Sequence, residues 1–139
     1  MTYRAHRMLV TAVVSGTVLL GACSGTPARE DTHASLDRYY RYAGEPIERF
    51  SYLGPLNGWD VLDGEHLVVY TSVNDGYLLT VELPCRDLQF KQAIALSSTG
   101  SSVTRGADFV TVGPDRCRIS EIRKVDYGQL KRDLRAEHH

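Results

Sequence analysis

The sequence predicts a mainly β (α+β) domain: a small antiparallel β-barrel or sandwich of about six or seven short strands, with an N-terminal helix and a short C-terminal helix. Three observations lead there. Turn-dense clusters such as Gly54-Pro55-Leu56-Asn57-Gly58 and Gly113-Pro114-Asp115 cut the chain into short runs. Asp63-Gly64 lies between two strand-like runs, the composition of a two-residue hairpin turn whose central positions need φ > 0. Tyr77, Leu79 and Val81 fall on one face at period two.

Taken in order, the domain begins with a helical stripe. Leu36, Tyr39, Tyr40 and Ala43 stand at i, i+3, i+4 and i+7, with Ser35 as N-cap and Gly44 as the stop. Arg38, Arg41 and Asp37 take the opposite face. Beyond Pro46 the period shortens to two, and Phe50-Ser51-Tyr52-Leu53 reads as a first strand. Trp59-Asp60-Val61-Leu62, Glu65 to Thr71 and Tyr77 to Glu82 follow as a β-meander, joined by Asp63-Gly64 and by Val73-Asn74-Asp75-Gly76. Pro84 ends the third of these, since proline cannot donate to a ladder. Leu88 to Ala93 is open between a helical turn and a loop, and Ile94-Ala95-Leu96 restarts an apolar run. Ser97 to Ser102 is a small polar loop. Phe109 to Val112 and Cys117 to Ile122 are the last two strands. Leu130 and Leu134, at i and i+4, mark a short surface helix from Tyr127 to Arg135.

What precedes the domain is of another kind. Arg4, His6 and Arg7 form a basic start, and Met8 to Leu20 is apolar apart from Thr11, Ser15 and Thr17. That is the layout of a signal peptide. The run is shorter than the ~20 apolar residues a spanning helix needs. It ends in Leu20-Gly21-Ala22-Cys23-Ser24, which resembles the lipobox of bacterial lipoprotein precursors. By that resemblance cleavage falls before Cys23, and its thiol becomes the lipid attachment point. Serine at position 24 directs the product to the outer membrane, facing the periplasm; the inner membrane or secretion are the alternatives. Residues 1–22 are then a leader, 23–34 a small, polar, flexible tether, 35–135 one globular domain and 136–139 a polar tail. The membrane becomes a partner through the N-terminal lipid.

Without residues 1–22 the chain keeps 117 residues and a formal net charge of −3, because the leader holds Arg4 and Arg7 and no acid. That length suits one modest core. Charges of both signs are interspersed, which argues against a nucleic-acid partner, since that needs a basic face. With Cys23 lipidated, Cys85 and Cys117 remain. In an oxidising compartment such a pair is read as a disulfide. The alternative, a dithiol or metal pair, lacks a Cys-x-x-Cys and a nearby histidine.

An ordered set of residues spans most of this domain: Tyr42-Ala43-Gly44-Glu45-Pro46-Ile47, Phe50, Trp59, Tyr77-Leu78-Leu79, Cys85-Arg86-Asp87-Leu88, Cys117 to Ile122, and Val125-Asp126. It resembles a family of small proteobacterial lipoproteins classed only as a domain of unknown function. The resemblance implies an exported single-domain protein with paired cysteines, and no catalytic residue.

Signatures of chemistry are sparse. The chain has no Gly-x-Ser-x-Gly elbow, His-Glu-x-x-His, Walker loop or Gly-x-Gly-x-x-Gly. No cofactor or metal site is expected. His66 is the one histidine embedded in the domain, with Asp60, Asp63 and Glu65 near it in sequence; a small periplasmic hydrolase built on these groups is the alternative reading. The favoured one is a non-enzymatic envelope module that binds a protein, peptide or glycan. Tyr39, Tyr42 and Trp59 are its candidate contacts, drawn from an aromatic set that includes Tyr52, Tyr70 and Tyr77, because tyrosine and tryptophan pair apolar area with a hydrogen-bonding tip. Most of that set is expected in the core, since a domain of this size needs its large side chains.

Overall fold

A computed structural model of the protein describes residues 32–90 and 93–139. The leader over 1–22, Cys23 and most of the tether lie outside the described residues. Nine strands and two α-helices follow in the order α1 (Thr32–Arg41), β1 (Ala43–Pro46), β2 (Arg49–Ser51), β3 (Gly58–Val61), β4 (His66–Tyr70), β5 (Asp75–Val81), β6 (Ala95–Leu96), β7 (Ser102–Thr104), β8 (Phe109–Val112), β9 (Asp115–Asp126) and α2 (Tyr127–Glu137). The main sheet runs β3-β4-β5-β9-β8-β6, with β1 also paired to β9, and β2 pairs with β7. Every pairing is antiparallel. The result is a curled half-barrel, mainly β as expected, in place of a closed barrel or sandwich.

The meander β3-β4-β5 and strand β8 stand where the period-two reading puts them. Other details differ, for physical reasons. The helix starts at Thr32 and stops at Arg41, before Gly44. The Tyr42 amide bonds back to the Tyr39 carbonyl, a tightened last turn, and Ala43 is taken by β9 opposite Val125. β1 holds Gly44 and Pro46, poor strand formers, and its register with β9 is irregular; only pairing defines it as a strand. The turn between β3 and β4 is not of the two-residue kind: Leu62 and Asp63 amides both bond to the His66 carbonyl. The Asp63 carboxylate accepts from the amides of Glu65 and His66, each at 2.7 Å, so its side chain does the turning and Gly64 keeps an ordinary φ. Leu88–Phe90 is a single 3-10 turn. α2 runs two residues further than expected, to Glu137, leaving a shorter tail. Asp126 caps it, its carboxylate accepting from the Gln129 amide at 2.9 Å.

One sheet separates two cores. The larger fills the concave side with Phe50, Leu67, Val69, Leu79, Val81, Leu88, Val103, Val110, Val112, Ile119 and Ile122, plus the cysteine pair. The smaller lies under the helices and joins Tyr39, Leu62, Val68, Tyr70, Leu78, Val125 and Leu130. β4 and β5 feed both, which is why His66–Tyr70 reads as a continuous apolar run after its histidine. Strand β9 also serves both, through a bulge: Thr80 pairs with Glu121 but Val81 with Ile119, so Ser120 is the extra residue. It shifts the alternation, so that Cys117, Ile119 and Ile122 face the larger core and Val125 the smaller. Gly76 lies opposite Tyr70, where an added Cβ would meet the ring at 3.2 Å and the ring would have to give by a few tenths of an ångström. Cys85 and Cys117 are bonded, with 5.7 Å between their Cα atoms, tying the chain after β5 to the start of β9.

Candidate functional site

The candidate residues fall into three places. Tyr39 is on the buried face of α1, and its hydroxyl lies 2.6 Å from that of Tyr70. The Tyr70 hydroxyl donates to the Asp60 carboxylate at 2.7 Å, so the Tyr39 hydroxyl donates to Tyr70. Burial, foremost, and this chain of hydrogen bonds push the Tyr70 phenol far above its ordinary value; burial raises Tyr39 as well. A narrow cleft of about 290 Å³ lies beside the relay, lined by Ser35, Arg38, Tyr39, Asp60, Val61, Leu62, Leu130 and Leu134. Trp59 is half-buried against the larger core, on the opposite face of the sheet from Tyr39. Phe50 and Tyr77 stack there at 4.1 Å between ring centres. The three candidate aromatics are therefore not brought to one surface.

His66 opens β4. Its Nδ1 is 2.8 Å from both Asp63 carboxylate oxygens, and since a carboxylate accepts, Nδ1 carries the proton. The same carboxylate makes the preceding turn, so the histidine is oriented by the hairpin itself. The Tyr40 and His66 rings meet edge to face, centre to centre 6.1 Å. Arg123, ion-paired to Glu121 at 2.6 Å, lies over the same tyrosine. Thr80 faces His66 across the ladder, with Glu121 next in the row. This is an ordered histidine–carboxylate pair, but it lines neither the cleft nor the larger groove described next.

That groove has a volume of about 790 Å³ and is open to solvent. Its wall comes from the end of α1 (Arg41), the start of β1 (Tyr42, Ala43, Gly44), the turn into β5 (Asn74, Asp75), the end of β9 (Lys124 to Asp126) and the first turns of α2 (Gly128, Arg132). Tyr42 is thus the one candidate contact that the fold places in it. Its hydroxyl donates to Asp133 at 2.7 Å, which together with nearby acids raises its pKa. Asp75 accepts from Ser72 Oγ and lies 3.5 Å from Lys124; the Ser72 hydroxyl, then the lysine, hold it below the ordinary carboxylate range. Sequence reasoning did not find Arg41, Lys124 or Arg132 as partners, because they come from three separate elements. It also missed Asp108, the buried acid that accepts from Ser97 Oγ and the Thr104 amide, each at 2.7 Å, and organises the β7–β8 loop.

Among the described residues no group of three or more histidine, cysteine, aspartate or glutamate side chains is placed to hold a metal ion. None of their helices is long and apolar enough to cross a membrane.

A curled antiparallel half-barrel with two helices packed on the smaller core, one cystine among the described residues and a polar open groove defines the class. The chain belongs to a family of unknown function (DUF6491), whose model matches residues 5–139. Neither curated proteins nor solved structures gave a match.

Proposed function

We propose that this protein is an exported lipoprotein, moored to the outer membrane by a lipid on Cys23 and facing the periplasm, whose globular part is a non-enzymatic binding module of the cell envelope. The observation that carries the binding half is the groove between α1, β9 and α2: at about 790 Å³ it is within the range of small-molecule and peptide-end clefts, about 300–1,000 Å³. The Cys85–Cys117 bond supports the exported half, because cystines persist in oxidising compartments. The leader pattern ending in Leu20-Gly21-Ala22-Cys23 supports the lipid.

The Asp63–His66 pair is the observation on the side of hydrolysis, since a carboxylate on Nδ1 leaves Nε2 free to take a proton. The pair's absence from the lining of the groove and of the cleft weighs against it. Two measurements decide. Fractionation of cells carrying Cys23→Ala should move the protein out of the membrane fraction; retention there sinks the lipid anchor. Crosslinking in intact cells should capture an envelope protein, peptide or glycan. No capture, together with turnover of an envelope substrate that is lost in His66→Ala, puts the hydrolase in its place.

A further inference from the structure

We infer that the groove between α1, β9 and α2 is a site for a multiply acidic ligand, one carrying two or more carboxylate or phosphate groups. Three cations line it, Arg41, Lys124 and Arg132, against two acids, Asp75 and Asp126. Both acids are already engaged within the fold. Asp75 takes the Ser72 hydroxyl and Lys124, and Asp126 caps α2 through the Gln129 amide. The arginines are not answered in the same way. Among the described residues no carboxylate lies within ion-pair distance of either, and Arg132 donates only to the neutral Gln129 Oε1, at 3.2 and 2.7 Å. Arg41 and Arg132 thus line one open cavity, neither of them in an ion pair with a carboxylate of the described residues. A guanidinium is the group that matches a carboxylate or phosphate with two parallel hydrogen bonds.

The Arg132 guanidinium lies close to the glycine at position 128. A Cβ there would meet Arg132 Nη1 at 3.4 Å and Asp126 Oδ1 at 3.6 Å. Both are ordinary contact distances, so the Arg132 guanidinium packs against the first turn of α2 beside the cavity wall. Asp126 caps the helix terminus through the Gln129 amide. A single anion would engage one fork. A groove of this volume with two such guanidinium groups, and Lys124 beside them shared with Asp75, fits a ligand with several negative groups.

The inference rests on the reading of the domain as a binding module, and its failure is separable from that reading. The full chain is titrated calorimetrically with citrate, with pyrophosphate and with sucrose as a neutral probe, each at low and high salt. Binding of at least one of the two anions is expected, weakening with salt as surface charges are screened. A preference for citrate assigns a carboxylate ligand, and a preference for pyrophosphate a phosphate one. Arg41→Gln with Arg132→Gln should weaken binding by about tenfold or more, each fork contributing charge-assisted bonds. Both side chains are exposed, so the fold should persist, as far-UV circular dichroism would verify. Arg116→Gln, on a guanidinium that stacks over Phe109 away from the groove, should not weaken binding. Full affinity in the double variant, sucrose bound as well as the anions, or no response to either anion overturns the inference. A partner captured in cells whose contact survives the double substitution also overturns it, while leaving the binding module standing.

Discussion

At the scale of single residues, Tyr70 is the most tightly determined group in the helix-side core. Its hydroxyl accepts from Tyr39 and donates to Asp60, and its ring occupies the space that Gly76 leaves empty. Replacement by phenylalanine keeps the ring and removes both bonds, stranding the buried Tyr39 hydroxyl. Tyr70→Phe is expected to lower stability by about 1–3 kcal/mol in urea unfolding. The phenols of Tyr39 and Tyr70 also tie stability to alkaline pH. Their folded-state pKa values lie above the ordinary 10.0, so the unfolded chain sheds these protons first. Their contribution is whole below about pH 10 and declines as pH rises above it. The slope of stability against pH in that window should flatten in Tyr70→Phe.

At the scale of elements, β9 and the cystine carry most of the organisation. β9 is the one strand that pairs with three others, β5, β8 and β1. The bond from Cys85 to Cys117 closes a loop across 32 positions at its start. Replacing both cysteines by serine should lower stability by about 3–4 kcal/mol, on the chain-entropy account. Denaturant titration of the variant against the parent measures it, and reductant added to the parent should reproduce the loss. Thiol titration of the denatured, unreduced parent should find neither Cys85 nor Cys117 reactive. Much of this level was legible beforehand. The meander, β8 and the pairing of the cysteines follow from period, turn chemistry and cysteine count. β1 and β7 were not legible, since Ala43-Gly44-Glu45-Pro46 carries little strand propensity and Ser102-Val103-Thr104 is only three residues long at the end of a polar loop; pairing with β9 and β2 is what defines them. The Ser120 bulge was hidden for a related reason: a shift of phase inside one strand shows only against its neighbours.

At the scale of the whole molecule, one sheet shared by two cores predicts a single cooperative transition. Leu78 faces the helices and Leu79 the concave side, both almost fully buried on adjacent positions of β5. Leu78→Ala and Leu79→Ala should each cost about 2–5 kcal/mol, and each should lower one common midpoint. Far-UV dichroism and Trp59 fluorescence read the two aspects of the fold; coincident curves are expected, and separated curves would mean that the cores melt independently. The same sharing explains what became of the candidate contacts. Tyr39 and Trp59 went to opposite faces of the sheet, and only Tyr42 came to the groove. The sequence by itself determined the β class, the meander, the two helices and the cystine partners, because those depend on local periodicity, turn residues and composition. Only the tertiary structure decided the half-barrel, the tyrosine relay and the meeting of Arg41, Lys124 and Arg132, because each requires positions about 30 to 90 residues apart to be brought together, and no local preference encodes such a distance.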